Sequence, residues 1–153
     1  MADDLERRRR LSRLKSEVLL LTQRYGRVAY DSTDGSWLHV EKFPIPPGWN
    51  KTQVEILIDV PHGTPGYPSV APQWFWVDHD LRTDDGRSIG HFFAQGLGRE
   101  DERYLDQGWG HFCVHLDKWR PSNGANLLNG HSLITYLNLI GAIFHDHRTL
   151  GGR

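Results

Sequence analysis

The stretch GWGHFCVHLDKWRP, residues 108–121, contains the only cysteine of the 153-residue chain. Cys113 lies two residues after His111 and two residues before His115. Side chains alternate between the two faces of an extended segment, so in such a segment these three residues would share one face. A thiol flanked by imidazoles fits three roles: a nucleophile, a metal ligand or a small buried apolar residue.

The length and composition are those of one intracellular domain, residues 1–153. A chain of this size can bury its own core, and a single cysteine excludes an internal disulfide. The N-terminus carries no apolar signal segment, and no apolar run approaches the roughly 18 residues of a membrane-spanning helix. We therefore expect a cytoplasmic protein that does not bind membranes.

Positive charge is concentrated near the N-terminus. The net charge of −1 gives no general case for a nucleic-acid partner. The stretch ERRRRLSRLK, residues 6–15, is instead typical of a basic helix face, which is solvated in most proteins and in some docks an acidic protein.

Two segments carry the apolar spacing of amphipathic helices. The first stripe, with spacings of three and four, ends just before Gly26 and predicts an N-terminal helix of about five to six turns. Its members are Leu11, Leu14, Val18, Leu21 and Tyr25. A second helix is predicted over residues 131–145, with an apolar face of Leu133, Leu137, Ile140 and Phe144.

Strand-like pieces fill the region between these helices. Alternating apolar and polar residues predict strands over 27–32, 36–43 and 52–60, and the dense apolar run 74–77 predicts a fourth. The connections are short, so antiparallel pairing in a four-stranded meander is expected. The glycine-rich stretch 78–110 has little periodicity, although GHFFAQGL, residues 90–97, is compatible with a short strand.

Two motifs in this order of elements resemble those of ubiquitin-conjugating enzymes. YPSVAP, residues 67–72, resembles the family's tyrosine–proline segment before the fourth strand, and GHFCVHLDKWRP, residues 110–121, resembles its catalytic stretch. The match places Cys113 on the thioester-forming cysteine. It places five positions on the structural neighbours of that cysteine: Gly110, Val114, Leu116, Trp119 and Pro121.

The likeness is strongest to divergent bacterial conjugating enzymes, including the standalone family-E type. It implies an α+β fold with an N-terminal helix, the meander, a catalytic cysteine loop and a following helix, without the family's C-terminal helices. It also implies a ubiquitin-like modifier, an activating enzyme and an associated metalloprotease as partners. No cofactor is expected, and no metal, since three candidate ligands without a clear fourth make a poor structural site. The family's His-Pro-Asn motif, whose asparagine supports the oxyanion, has no counterpart upstream of Cys113.

The resemblance implies the nucleophile and the docking helix, and the other roles are assigned from the chemistry of the residues near Cys113. Cys113 is expected to be the nucleophile, His115 the first choice for the base that accepts the amine's proton, and His111 the second. Modifier or acceptor binding is assigned to Gln107, Trp119 and Asn123. Docking of the activating enzyme is assigned to the basic helix: Arg7, Arg8, Arg9, Arg10 and Arg13.

Three other interpretations of the same residues stay open. Cys113 is compatible with a small buried residue, and the missing His-Pro-Asn motif favours an inactive module of the same fold that only binds the modifier. His111, Cys113 and His115 are also compatible with a zinc-dependent hydrolase that takes His91 or water as a fourth ligand. No paired Cys-x-x-Cys or His-Glu-x-x-His motif accompanies them.

Overall fold

The elements follow the predicted order. The computed structural model describes residues 2–72, 74–78, 81, 92–93, 109–113, 119–122, 126–127 and 129–145. Two helices and six strands lie within them: α1 (Ala2–Tyr25), β1 (Val28–Tyr30), β2 (Trp37–Pro44), β3 (Gln53–Asp59), β4 (Trp74–Asp78), β5 (Phe92–Phe93), β6 (Trp109–Cys113) and α2 (Leu133–His145). The strands form one antiparallel sheet in the order β1-β2-β3-β4-β6-β5. This confirms the α+β fold with an N-terminal helix, a four-stranded meander and a later helix.

Helix α1 buries the predicted stripe and ends where glycine permits. Leu14 and Leu21 are fully buried, and Val18 and Tyr25 pack against the same core. Gly26 has a φ of 83°, which an L side chain rarely adopts, and its N–H donates to the carbonyl of Thr22 at 2.9 Å. The helix is longer than predicted because good helix formers precede the apolar stripe.

The meander and α2 enclose the main core. On β3, Val54, Ile56 and Ile58 are buried and pack in one cluster with the apolar face of α2. All four predicted α2 positions, Leu133, Leu137, Ile140 and Phe144, are fully buried. The indole N–H of Trp49 donates to the carbonyl of Phe144 at 3.0 Å, which ties the connection between β2 and β3 to the end of α2.

The sheet continues past the meander to Cys113. Strand β6 pairs with β4 from Trp109 opposite Asp78 to Cys113 opposite Trp74, and β5 pairs with β6 on its other side. Cys113, predicted to lie in a loop, is therefore the last residue of a strand. The short strand predicted within residues 90–97 is confirmed as β5.

A carboxylate organises the turn between β1 and β2. Asp31 accepts hydrogen bonds from the N–H groups of Thr33 and Asp34 at 3.0 and 3.3 Å, and from the N–H and hydroxyl of Ser36 at 3.1 and 2.6 Å. Burial opposes ionisation of this carboxyl, but these bonds outweigh it and lower its pKa to about 2. Gly35 has a φ of 68°, and a Cβ there would lie 2.9 Å from Leu14, so the turn packs directly on α1.

We expect Asp31→Ala to lower the free energy of unfolding by about 1–2 kcal/mol at pH 7, because several donors lose a partly exposed charged acceptor. The native pKa is lower than the ordinary aspartate value of 3.8, so this stability is present above pH 3.8 and is lost as the pH falls through about 2. Urea titrations of both proteins from pH 7 to pH 2 measure the effect. Asp34→Ala, an exposed change in the same turn, is the control and should cost less than about 0.5 kcal/mol. A pH-independent difference for Asp31→Ala would contradict the assignment.

Candidate functional site

Backbone pairing fixes the positions of Cys113 and His111 in the sheet. Cys113 lies opposite Trp74, and His111 lies opposite Trp76 of β4 and Phe93 of β5. Positions two residues apart in a strand share a face, so the extended backbone meets the condition under which these two residues lie together. The side chains of both, and the whole of His115, Gln107 and Asn123, lie outside the described part of the chain.

Trp119 joins the two motifs that the sequence singled out. Its indole N–H donates to the carbonyl of Pro68 at 2.8 Å, and its ring centroid lies 6.2 Å from that of Tyr67. On another side the ring lies 5.3 Å from His131. Trp119 is half-buried, and its contacts hold the start of the segment Trp119–Ser122 against the Tyr67–Pro68 turn.

The chain that follows Trp119 is held by the residues just before α2. The N–H groups of Arg120 and Ser122 donate to Nδ1 and the carbonyl of His131 at 2.9 and 2.8 Å, and the His131 N–H donates to the Arg120 carbonyl at 2.7 Å. Gly130 has a φ of 110°, and a Cβ there would lie 2.9 Å from Cα of Ser122. A side chain at position 130 would push the two segments apart.

A buried polar cluster lies beneath this segment, and sequence reasoning missed it. We call Arg13, Glu17, Tyr67 and Ser122 the Glu17 cluster. Arg13 Nε donates to Glu17 Oε2 at 2.7 Å, the Tyr67 hydroxyl donates to the same oxygen, and the backbone N–H of Leu133 donates to Oε1 at 2.7 Å. The remaining guanidinium nitrogens of Arg13 donate to the carbonyl and hydroxyl oxygens of Ser122.

Burial governs the electrostatics of the Glu17 cluster. The exposed fractions of Arg13, Glu17, Tyr67 and Ser122 are 7%, 2%, 0% and 3%. Desolvation raises the pKa of Glu17 above its ordinary value, although the bonds from Tyr67, Leu133 and Arg13 act in the opposite direction. Burial, together with the adjacent Glu17 carboxylate, raises the pKa of Tyr67, so its hydroxyl keeps the proton that it donates.

These contacts bring the tyrosine–proline segment, the segment after Cys113, α1 and the start of α2 into one assembly. The model of Prokaryotic E2 family E matches residues 22–142. The chain belongs to this family. No curated protein and no solved structure gives a significant match.

Membership in Prokaryotic E2 family E makes the chain an E2-like protein and associates it with ubiquitin-like conjugation. The family match includes Tyr67, Cys113 and Trp119. It begins after Arg13 and Glu17, so the α1 half of the Glu17 cluster lies outside the matched residues.

The basic residues of this E2-like chain divide into two sets. Arg10 and Arg13, predicted to lie on the docking face, are only 4% and 7% exposed. Arg10 Nε donates to the carbonyl of Asp34 at 2.7 Å and Arg13 belongs to the Glu17 cluster, so both make internal contacts. Docking stays a prediction for the other three, of which Arg7 and Arg8 have side chains 44% and 73% exposed and bonded to Asp4. Arg9 is exposed.

Within the described residues no three His, Cys, Asp or Glu side chains converge as metal ligands. The side chains of His111, Cys113 and His115, the alternative zinc set, lie outside the described part of the chain. Neither of the described helices is both long and apolar enough to cross a bilayer.

His145, at the end of α2, has a local role. Its Nδ1 lies 2.8 Å from the carbonyl of Gly141, one turn earlier in the helix. An imidazole N–H that donates to one of the last carbonyls satisfies a group that the helix leaves without a backbone partner.

Proposed function

We propose that this E2-like chain accepts a ubiquitin-like modifier from an activating enzyme as a thioester on Cys113 and transfers it to an amine. The observation that carries the proposal is the placement of the only cysteine in a family member. Cys113 ends β6, and Trp119, six residues later, is bonded to the Tyr67–Pro68 turn. The sheet therefore holds the chain at Cys113, and the Tyr67–Pro68 turn holds it at Trp119.

The proposed chemistry consists of two acyl transfers. In the first, the Cys113 thiolate attacks the thioester carbonyl on the activating enzyme, a new S–C bond forms, and the activating enzyme's thiolate leaves. In the second, an acceptor amine attacks the Cys113 thioester, a C–N bond forms, and the Cys113 thiolate leaves while the amine gives up a proton to a base. Both steps are balanced without a redox partner or a metal.

His115 is the proposed base for the second step, and His111 is the alternative. Both are two residues from Cys113, and imidazole titrates near neutral pH. Gln107 and Asn123 are proposed to contribute amide groups at the modifier or acceptor surface, where the oxyanion also needs a donor in the absence of a His-Pro-Asn motif. Trp119 is proposed to border the same surface through its exposed part.

The exposed basic part of α1 is the proposed docking face for the activating enzyme. It comprises Arg7, Arg8 and Arg9. Asp4 bonds to Arg7 and Arg8, and these bonds lower the pKa of Asp4, so the aspartate stays ionised and offsets part of the local positive charge. Arg9 is exposed and makes no ion pair within the described residues, which makes it the strongest candidate for an acidic partner.

The first test is thioester formation. We expect Cys113→Ala to abolish the adduct with modifier, activating enzyme and ATP that disappears on a reducing gel, because the nucleophile is gone. The unfolding free energy should change by less than about 1 kcal/mol, since only one sulfur atom is removed. An undiminished adduct would refute the role of Cys113. An unmutated protein that binds modifier without an adduct would be the inactive module, and stoichiometric zinc lost from His111 or His115 variants would favour the hydrolase.

The second test concerns the base. We expect His115→Ala to load normally but to discharge to free lysine about 100-fold more slowly, because a general base contributes on that order. In the unmutated protein, discharge should slow as the pH falls below the usual histidine pKa of about 6.5. Single-turnover discharge across pH measures both effects. His145→Ala is the matched control. The imidazole of His145 bonds to the carbonyl of Gly141 in α2, so its removal should leave the discharge rate unchanged. Normal discharge by His115→Ala at every pH would overturn the role of His115 as the base and leave His111 as the candidate.

The third test concerns docking. We expect Arg8→Glu combined with Arg9→Glu to slow thioester loading at low salt by about tenfold, because surface charges act mainly on the association rate. Discharge of protein that is already loaded should be unchanged. Arg24→Glu, an exposed change at the opposite end of α1, is the control. Equal loading rates for the double variant and the control would rule out this face.

A further inference from the structure

We propose that Arg13 and Glu17 are positioning residues for the transfer step, because they fix the segment Trp119–Ser122 that follows Cys113. Neither is proposed to touch the modifier or the acceptor. The catalytic part of this inference rests on the proposed function, whereas the structural part does not.

Glu17 joins three parts of the fold through its two carboxylate oxygens. Oε1 accepts the Leu133 N–H, the first backbone donor of α2, and Oε2 accepts both Arg13 Nε and the Tyr67 hydroxyl. A carboxylate that is 2% exposed cannot exchange these donors for water without opening the structure. Its position is therefore determined by α1, the Tyr67 turn and the start of α2 together.

Arg13 transmits that position to the segment after Cys113. The guanidinium is a planar fork, so the bond from Nε to Glu17 sets the directions of its other two nitrogens. Those nitrogens donate to the carbonyl and hydroxyl of Ser122. The N–H of Ser122 in turn donates to the His131 carbonyl, so Ser122 is held from both sides.

The segment held in this way follows Cys113 in the chain after a connection of five residues, 114–118. Cys113 is fixed by the pairing of β6 with β4, and Trp119 by its bond to Pro68. His115 belongs to the five residues that connect these two points. The proposed consequence is that a shift at Trp119–Ser122 changes the position of His115 relative to Cys113.

Stability alone does not account for a charged pair at this place. Buried ion pairs can often be replaced by apolar side chains of similar volume without loss of stability, because desolvation of the charges offsets their attraction. Their directional bonds, in contrast, specify one geometry. In the Glu17 cluster two of the bonds of Arg13 are made to Ser122, in the segment Trp119–Ser122. This observation is the reason for proposing that the pair positions that segment as well as packing in the core.

The experiment compares Glu17→Gln and Ser122→Ala with a control of equal stability. Ser122→Ala removes only the hydroxyl that Arg13 contacts, and Ser122→Thr is its rescue variant. The control is Phe43→Leu. The ring of Phe43 contacts Tyr25 and Phe144. Phe144 lies about 16 Å along α2 from Leu133, at 1.5 Å per residue, so the control is remote from the Glu17 cluster. Urea is added to the more stable proteins until all have the same unfolding free energy.

Hydrogen exchange of backbone amides is the readout that is independent of activity. We expect Glu17→Gln and Ser122→Ala to speed exchange at the Ser122 and His131 amides tenfold or more relative to amides of β2. At matched stability, Phe43→Leu should not do so. Single-turnover discharge should slow about tenfold in the two cluster variants with loading unchanged, and Ser122→Thr should restore most of it.

Each failure has its own signature. Unchanged exchange at Ser122 and His131 overturns the claim that the pair fixes this segment. Equal slowing of discharge in Phe43→Leu at matched stability overturns the positioning role, because loss of stability then accounts for the effect. An unmutated protein that forms no thioester overturns the proposed function instead, and the exchange rates still decide the structural claim. If Glu17→Gln does not fold, Ser122→Ala and its rescue variant decide alone.

Discussion

The carboxylate of Glu17 is the constraint on which the arrangement of the described chain depends. Its donors come from α1, from the turn after β3 and from the first residue of α2, and Arg13 extends the contact to the segment after Cys113. Burial of the charge is compensated only when all these donors are in place. The two helices and the two connecting segments must therefore assemble together, so the Glu17 cluster forms cooperatively.

Sequence pattern alone predicted the position of α1 but not the Glu17 cluster. Arg10, Arg13 and Glu17 lie on the same side of the helix as Leu14 and Leu21, since all five follow the spacing of the buried stripe. A search for apolar periodicity counts only the leucines and assigns charged residues to the surface. The detectable signal was an Arg–Glu pair at i, i+4 on the apolar face, where a solvated pair is not expected.

The strands show a similar division between local and distant information. The first four strands were predicted because alternation and turn residues are local features. Strand β6 was missed because GHFC alternates weakly and its register is set by Trp74, about forty residues earlier. For the candidate site, the motifs identified Cys113 and its likeness to a catalytic cysteine. They did not reveal that Trp119 and Ser122 are anchored by α1 and by the Tyr67–Pro68 turn, since these contacts join residues distant in sequence.

The position of Cys113 at the end of a strand also bears on the missing His-Pro-Asn motif. In this chain the residues immediately upstream of the cysteine form β6, which has β4 on one side and β5 on the other. His111 and Phe112 pair with β4 on one side and with β5 on the other, so the backbone groups of these two residues are used in the sheet and are not available to stabilise an oxyanion. The proposed donors are side chains, Gln107 upstream of β6 and Asn123 after Cys113, and the proposed base His115 also lies after Cys113. Two of these three residues lie downstream of Cys113, so the geometry of that segment matters for the proposed chemistry. This dependence gives a physical reason for a charged, fully bonded cluster to hold the end of that segment where an apolar contact would serve stability alone.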